Sequence, residues 1–317
     1  MKVTILGCGV YGVALANCFL ENGVTVRMWN KFQKEIDSLQ EQYSTIHFST
    51  DLKESTREVD LIVIAIPVAF LEGVMREFRD VYHGEDILIA SKGIDTKSLQ
   101  FAYEIVLNQL GADIPIGVIS GGTFAIDMMK KQVMGLTLGT KYEEVRKKVQ
   151  TGLASQFLKI QYCDDIIGVS VCGAIKNVMA IGFGILDGAL YSESSRFLFL
   201  TEAIYEIKKL IILLGGDTNT IMSYAGIDDI MMTCTSVKSR NYTLGKMLGE
   251  QRDSQEIDEY KKNTTIEGFG TSKAICLLGE EKNISLPLSK IIYEILYEGK
   301  TYIDLIYYLE EKESQSF

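Results

Sequence analysis

The chain opens on a short apolar run, Lys2–Leu6, that passes straight into Gly7, Gly9 and Gly12, and over residues 13–20 the apolar positions take up the spacing of a helix. Asn22-Gly23 supplies the stop. Val24, Val26 and Met28 then alternate with polar neighbours, as a second strand requires, and apolar runs at 60–66 and 86–90 continue the sheet. Val118 and the runs at 136–138 and 157–162 are later strand candidates, with intervals long enough for helices. Past Asp165 the character changes: segments such as 192–214 and 286–296 have long helical periods and little strand signal. The pattern predicts a Rossmann-type, doubly wound α/β domain over 1–165 followed by an all-α domain over 166–317.

Composition agrees with two well-filled cores. A chain of 317 residues, 47% hydrophobic and with three prolines, suits two dense domains better than disorder. The net charge of -10 excludes broad nucleic-acid binding and confines any phosphate site to a local pocket. Six cysteines are scattered without a CxxC pair or a secretory leader, as expected of a reduced, cytoplasmic protein. The apolar run at 61–71, the longest by this reading, is broken by Pro67 and too short to cross a bilayer, so no membrane insertion is expected. His47 and His83 are the only histidines, too few for a triad or a multi-histidine metal site, and no metal is expected. Homodimerisation stays open.

Gly7-Cys8-Gly9-Val10-Tyr11-Gly12 spells GxGxxG, a weak signal alone and a strong one between a strand and a helix at the chain start. The first glycine permits the tight turn, the second lets backbone approach a pyrophosphate, and the third allows close helix–strand packing. The helix start offers free N–H groups to the phosphates, so NAD or NADP is the expected cofactor. The alternative, a ligand-free βα turn, fits this context less well. At the end of the second strand, where an acid would bind the ribose, the chain reads Trp29-Asn30-Lys31. Asn30 suits a ribose hydroxyl and Lys31 suits a 2′-phosphate or plain solvent, which leaves the choice between NAD and NADP open.

Lys176 is the only charged residue between Asp165 and Asp187. At helical spacing it shares a face with Cys172, Met179 and Phe183, beside a stripe of Gly173, Asn177, Ala180 and Gly184 where another helix can come close. Burial disfavours an ammonium and lowers its pKa, which makes a lysine a usable acid and base near neutrality. The plainer alternative is a lysine snorkelling from a half-exposed helix. Lys92 follows a predicted strand, at the crevice where open α/β sheets hold ligands, so it can reach into the substrate site and is a further catalytic candidate.

These residues match a family: the sequence resembles the NAD(P)-dependent glycerol-3-phosphate dehydrogenases over nearly its whole length. Four motifs carry the resemblance: residues 7–16 (GCGVYGVALA), Ser91-Lys92-Gly93, residues 172–188 (CGAIKNVMAIGFGILDG) and residues 225–241 (AGIDDIMMTCTSVKSRN), the last two being the specific ones. The resemblance implies interconversion of dihydroxyacetone phosphate and sn-glycerol 3-phosphate, feeding glycerophospholipid synthesis. By it, Lys176 is the proton donor to the carbonyl, Asp229 the carboxylate that orients that lysine or a substrate hydroxyl, and Asn177 and Thr233 stand near the substrate. Ser239, Arg240 and Asn241 look like the phosphate clamp of a small phosphorylated substrate, a use that suits a guanidinium fork beside an amide. Lys92, Arg240 and Glu267 look like further cofactor contacts, joining Val10 and Tyr11 of the glycine turn. The chain departs from the family in reading Ser120-Gly121-Gly122 where a proline usually follows the glycine, in having Glu202 where the family has arginine, and in a short segment between Trp29 and Thr50. Another 2-oxo substrate, or a protein that senses NAD(P)H without turnover, is the alternative those departures raise.

Overall fold

The computed structural model describes residues 1–311. β1 (Lys2–Leu6) turns into α1 (Val10–Glu21), followed by β2 (Thr25–Trp29), α2 (Gln33–Gln40), β3 (His47–Ser49), α3 (Leu52–Thr56), β4 (Leu61–Ile64), α4 (Val68–Arg79) and β5 (Asp86–Ile89). Then come α5 (Ala102–Leu110), β6 (Ile116–Ser120), α6 (Ala125–Met129), β7 (Met134–Gly139), α7 (Glu143–Leu153) and β8 (Leu158–Cys163). The strands form one sheet in the order β3-β2-β1-β4-β5-β6-β7-β8. β4, β5 and β6 are buried at every residue, which explains their unbroken apolar runs: a parallel sheet covered by helices on both faces has no solvent side to alternate with.

Two features of the sheet lay outside the sequence pattern. β3 is a three-residue edge strand paired to β2, too short to show a period. β7 runs antiparallel to β6, with Ser120 opposite Thr137, while the other strand pairs are parallel. Alternation of apolar residues reports burial and not strand direction, so it carried no sign of that reversal.

After β8 the chain is helical: α8 (Ile166–Gly188), α9 (Glu193–Leu213), a 3-10 turn (Thr218–Met222), a π turn (Tyr224–Asp228), α10 (Asp229–Thr235), α11 (Arg240–Gly249), α12 (Ser254–Asn263), α13 (Glu267–Lys282), α14 (Pro287–Tyr297) and α15 (Tyr302–Glu311). Asp165 starts α8 by accepting from the Gly168 N–H at 2.8 Å, and its other oxygen accepts from Thr220 Oγ1 at 2.6 Å, which ties the helix start to the 3-10 turn.

α8 is the axle of the second core. Val171, Ile175, Val178, Ile181 and Leu186 are buried against Phe199, Ile207, Ile230, Ile275 and Ile292 of the surrounding helices, each such side chain contributing roughly 1.5–3 kcal/mol by leaving water. The helix has 23 residues and a mean hydropathy of 1.8, long and apolar enough to cross a membrane, with 83% of the apolar window buried inside the protein. Among the described residues it, not the run at 61–71, is the longest apolar helix. Its small residues have two different neighbours. Gly184 and Gly188 lie against backbone of α11, while Gly245 and Gly249 of α11 lie against backbone of α8, and a Cβ at any of the four would overlap it. Gly173, expected on the same helix-receiving stripe, instead faces Ser120, whose Oγ would be 2.8 Å from an added Cβ.

Candidate active site and cofactor cradle

The chain leaves β1 for β2 on one side and later returns to β4 on the other, so the strand order switches at β1. At that switch the carboxyl ends of parallel strands open a crevice, the usual ligand position in such sheets. Gly7, Lys92 and Gly121 follow β1, β5 and β6 into it. Gly7 has φ +113 and gives its N–H to the Trp29 carbonyl at 2.9 Å; a side chain there would overlap the Ala65 carbonyl. Gly9 is the opposite case: nothing lies within 4 Å of where its Cβ would stand, and it caps α1 without a side-chain bond. The first turn of α1 has no acidic residue, and Val10 is exposed. Open backbone N–H groups at a helix start, over a space a side chain would fill, fit a pyrophosphate.

The end of β2 holds a carboxylate that Trp29-Asn30-Lys31 conceals. Asn30, buried, accepts from the Phe32 N–H at 3.1 Å and donates to Glu35 Oε2 at 2.6 Å. The glycine turn is tied to this strand end, the Cys8 thiol donating to the Trp29 carbonyl at 3.6 Å, and the Cys8 pKa is pushed up to about 12, chiefly by burial, with the Glu35 charge adding to the rise. Lys31 leaves the turn to pair with Glu77 at 2.7 Å. Both side chains proposed from sequence for the ribose or its phosphate therefore have other partners.

The charged centre lies where α8 and α10 meet the crevice. Lys176 is buried and paired with Oδ1 of fully buried Asp229. The second oxygen of Asp229 takes Lys92 at 3.4 Å and Ser120 Oγ at 3.2 Å, and Thr233, one helical turn further along α10, donates to Oδ1 at 3.2 Å. Two ammonium groups thus share one carboxylate, and their fates divide. Burial pushes the Lys176 pKa down, Asp229 draws it up and the Lys92 charge pushes it down again, to about 8. Burial opposes the Lys92 charge as well, but Asp229, Tyr11 and Glu267 outweigh it and hold this lysine above its ordinary value. Lys92 also lies over the Tyr11 ring at 5.6 Å, and the Tyr11 hydroxyl meets Thr123 Oγ1 at 3.2 Å, so the helix after the glycine turn abuts the charged centre.

A second network, of amides and one carboxylate, joins α8, α11 and α13. Asn241 Nδ2 donates to Asn177 Oδ1 at 2.9 Å and its Oδ1 accepts from the Gly268 N–H at 2.9 Å, while Asn177 Nδ2 donates to Glu267 Oε2 at 3.0 Å. Ser239 is buried and caps α11, accepting from the Tyr242 N–H at 3.3 Å. Arg240, the first residue of α11, is exposed, and its guanidinium makes no hydrogen bond or ion pair among the described residues. The structure therefore gathers Lys176, Asp229, Lys92 and Thr233 into one cluster, and Asn177, Asn241 and Glu267 into a neighbouring one. Ser239 and Arg240 begin the helix that bears Asn241.

Sequence reasoning missed Ser120 and Glu35. Ser120 ends β6 in the crevice and is nearly fully buried; its position at a strand's carboxyl end was the available signal. Glu35 is brought to β2 by α2, whose short amphipathic run is hard to read. The Gly122 departure has a local cause. A Cβ there would stand 2.5 Å from Asp228 Oδ2, so a proline ring would press on the Asp228 carboxylate. Glu202, the other departure, is half-buried on α9.

Residues 2–146 match the family model for the N-terminus of NAD-dependent glycerol-3-phosphate dehydrogenase, and residues 165–307 match the one for its C-terminus. The chain is 30% identical to the glycerol-3-phosphate dehydrogenase [NAD(P)+] of Staphylococcus haemolyticus, covering 99% of each, and 30% identical to that of Staphylococcus aureus over the same shares. Among solved structures, glycerol-3-phosphate dehydrogenase from Coxiella burnetii superposes with a TM-score of 0.92 at 28% identity, covering 98% of this chain and 99% of the other.

Proposed function

Because the chain belongs to the NAD-dependent glycerol-3-phosphate dehydrogenase family, we propose that it interconverts dihydroxyacetone phosphate and sn-glycerol 3-phosphate in the cytoplasm, with Lys176 moving the proton. The observation that carries this reading is that buried Lys176 and half-buried Lys92 share one fully buried carboxylate, Asp229. The nicotinamide, when bound, supplies or accepts the hydride at the substrate's central carbon. Hydride addition to a ketone builds negative charge on oxygen. Lys176, at about 8, can give its proton to that oxygen and take it back in the reverse direction. Lys92 keeps its charge and stabilises the developing oxyanion, and Asp229 orients both ammonium groups, helped by Thr233 and Ser120. Asn177 and Glu267 border the same space, and Gly7, Gly9 and Gly12 with Val10 and Tyr11 form the cofactor cradle. We place the division of labour at residue 165: the sheet holds cofactor, and α8 onward holds substrate.

Arg240 and Asn241, at the start of α11 over the Ser239 cap, are the proposed phosphate clamp. An unpaired guanidinium beside a helix N-terminus suits a phosphate dianion. The direct test is loss of nicotinamide absorbance driven by dihydroxyacetone phosphate, in the wild type and in Arg240→Ala. A charge-assisted bond to phosphate is worth roughly 1.5–3 kcal/mol, so the KM for the phosphorylated ketone should rise about 10- to 100-fold while that for NADH holds. Equal weakening of both would make Arg240 a structural residue.

A further inference from the structure

We propose that Glu35, held at the end of β2 by Asn30, takes the hydroxyls of the cofactor's adenosine ribose and makes the protein selective for NAD over NADP. The proposal rests on the reading of the glycine turn as a nicotinamide-dinucleotide cradle. An acidic side chain at the carboxyl end of the second strand is the physical device that recognises an unmodified ribose, since a carboxylate accepts from the hydroxyl and repels a phosphate in its place. The sequence has no acid at that strand end, and the fold imports one. Glu35, in the first turn of α2, is fixed by Asn30 Nδ2 at 2.6 Å, and Asn30 is itself fixed by the Phe32 N–H at 3.1 Å. Asn30 is only 8% exposed, so the tether is rigid, whereas Glu35 is exposed and open to a ligand. The glycine turn lies against the same strand end, the Gly7 N–H and the Cys8 thiol both donating to the Trp29 carbonyl, at 2.9 and 3.6 Å, next to the Asn30 that holds Glu35.

The local charges point the same way. The partner of Glu35 is a neutral amide, and among the described residues no lysine or arginine forms an ion pair with it, so its negative charge is not cancelled. Lys31, the cation next in sequence to Asn30, is drawn off by Glu77 at 2.7 Å. A 2′-phosphate brought here would meet an uncompensated carboxylate, while a ribose diol would meet an acceptor already in place.

Trp29 gives a readout independent of turnover: it is the chain's one tryptophan, it ends β2, and it precedes Asn30. Titrating the full-length protein with NADH and with NADPH while following tryptophan fluorescence should show NADH bound at least about tenfold more tightly. In Glu35→Gln, whose site is exposed and tolerant, NADH affinity should fall about tenfold and the preference should shrink to about threefold or less. Equal binding of the two cofactors by the wild type would overturn the proposal and turn attention to Lys31 and Lys34 as readers of a 2′-phosphate; so would an unchanged preference in Glu35→Gln. Selective binding of NADH with no turnover of dihydroxyacetone phosphate would remove the proposed reaction and leave the ribose assignment standing. Turnover that uses both cofactors equally would do the reverse.

Discussion

Lys176→Met is expected to lower kcat about 100- to 10,000-fold while leaving NADH affinity close to that of the wild type, because a positioned proton donor contributes that much and the cofactor cradle lies on another element. Methionine preserves the apolar length of the side chain, so α8 keeps its packing. Arginine does not rescue, since a guanidinium stays protonated throughout the accessible range and cannot cycle a proton. Lys92→Met should behave differently. Its charge is held, and removing it lifts a like charge from Lys176, so Lys176 should titrate at higher pH while kcat falls. A Lys176→Met protein that binds cofactor and turns over near normally would move the proton donor elsewhere, first to Lys92.

Asp229→Asn is expected to cost roughly 3–5 kcal/mol of folding stability, the usual loss when one member of a buried ion pair is removed. Asp229 is fully buried and is the shared partner of Lys176 and Lys92, so the amide leaves two ammonium groups facing each other in a low-dielectric site. The Asp229 charge raises the pKa of both lysines, and without it both should fall. Urea unfolding measures the first effect. A loss under about 1 kcal/mol would mean that the lysines are not held by this carboxylate.

Much of the fold was legible because buried elements write their environment into their composition. The runs at 60–66 and 86–90 were apolar without alternation, and they became the fully buried β4 and β5. Lys176 stood out because a charge on an otherwise apolar helix requires a buried partner, yet that partner, Asp229, lies 53 residues away and only the packing of α8 on α10 brings it within reach. The family resemblance, not the spacing, pointed to Asp229 in advance. Ser120 and Glu35 were hidden for a related reason. Each acquires meaning from one side-chain bond, Ser120 to Asp229 across 109 residues and Glu35 to Asn30 across the β2–α2 turn, and no residue pattern announces either bond. The direction of β7 and the edge strand β3 were equally invisible, the first because burial does not record direction and the second because three residues hold no period. The glycines of α8 announced close approach but not its partner, which is α11 for Gly184 and Ser120 for Gly173.

The most direct test of the account is the pH dependence of hydride transfer followed in single turnovers in both directions. Reduction needs Lys176 protonated and oxidation needs it neutral. With its pKa lowered to about 8, the rate of ketone reduction should be full below that pH and fall as pH rises through it, while alcohol oxidation rises through the same midpoint. Both midpoints should vanish in Lys176→Met. Rates flat across this range, or a midpoint near 8 that survives in Lys176→Met, would contradict the assignment of Lys176 as the group that moves the proton.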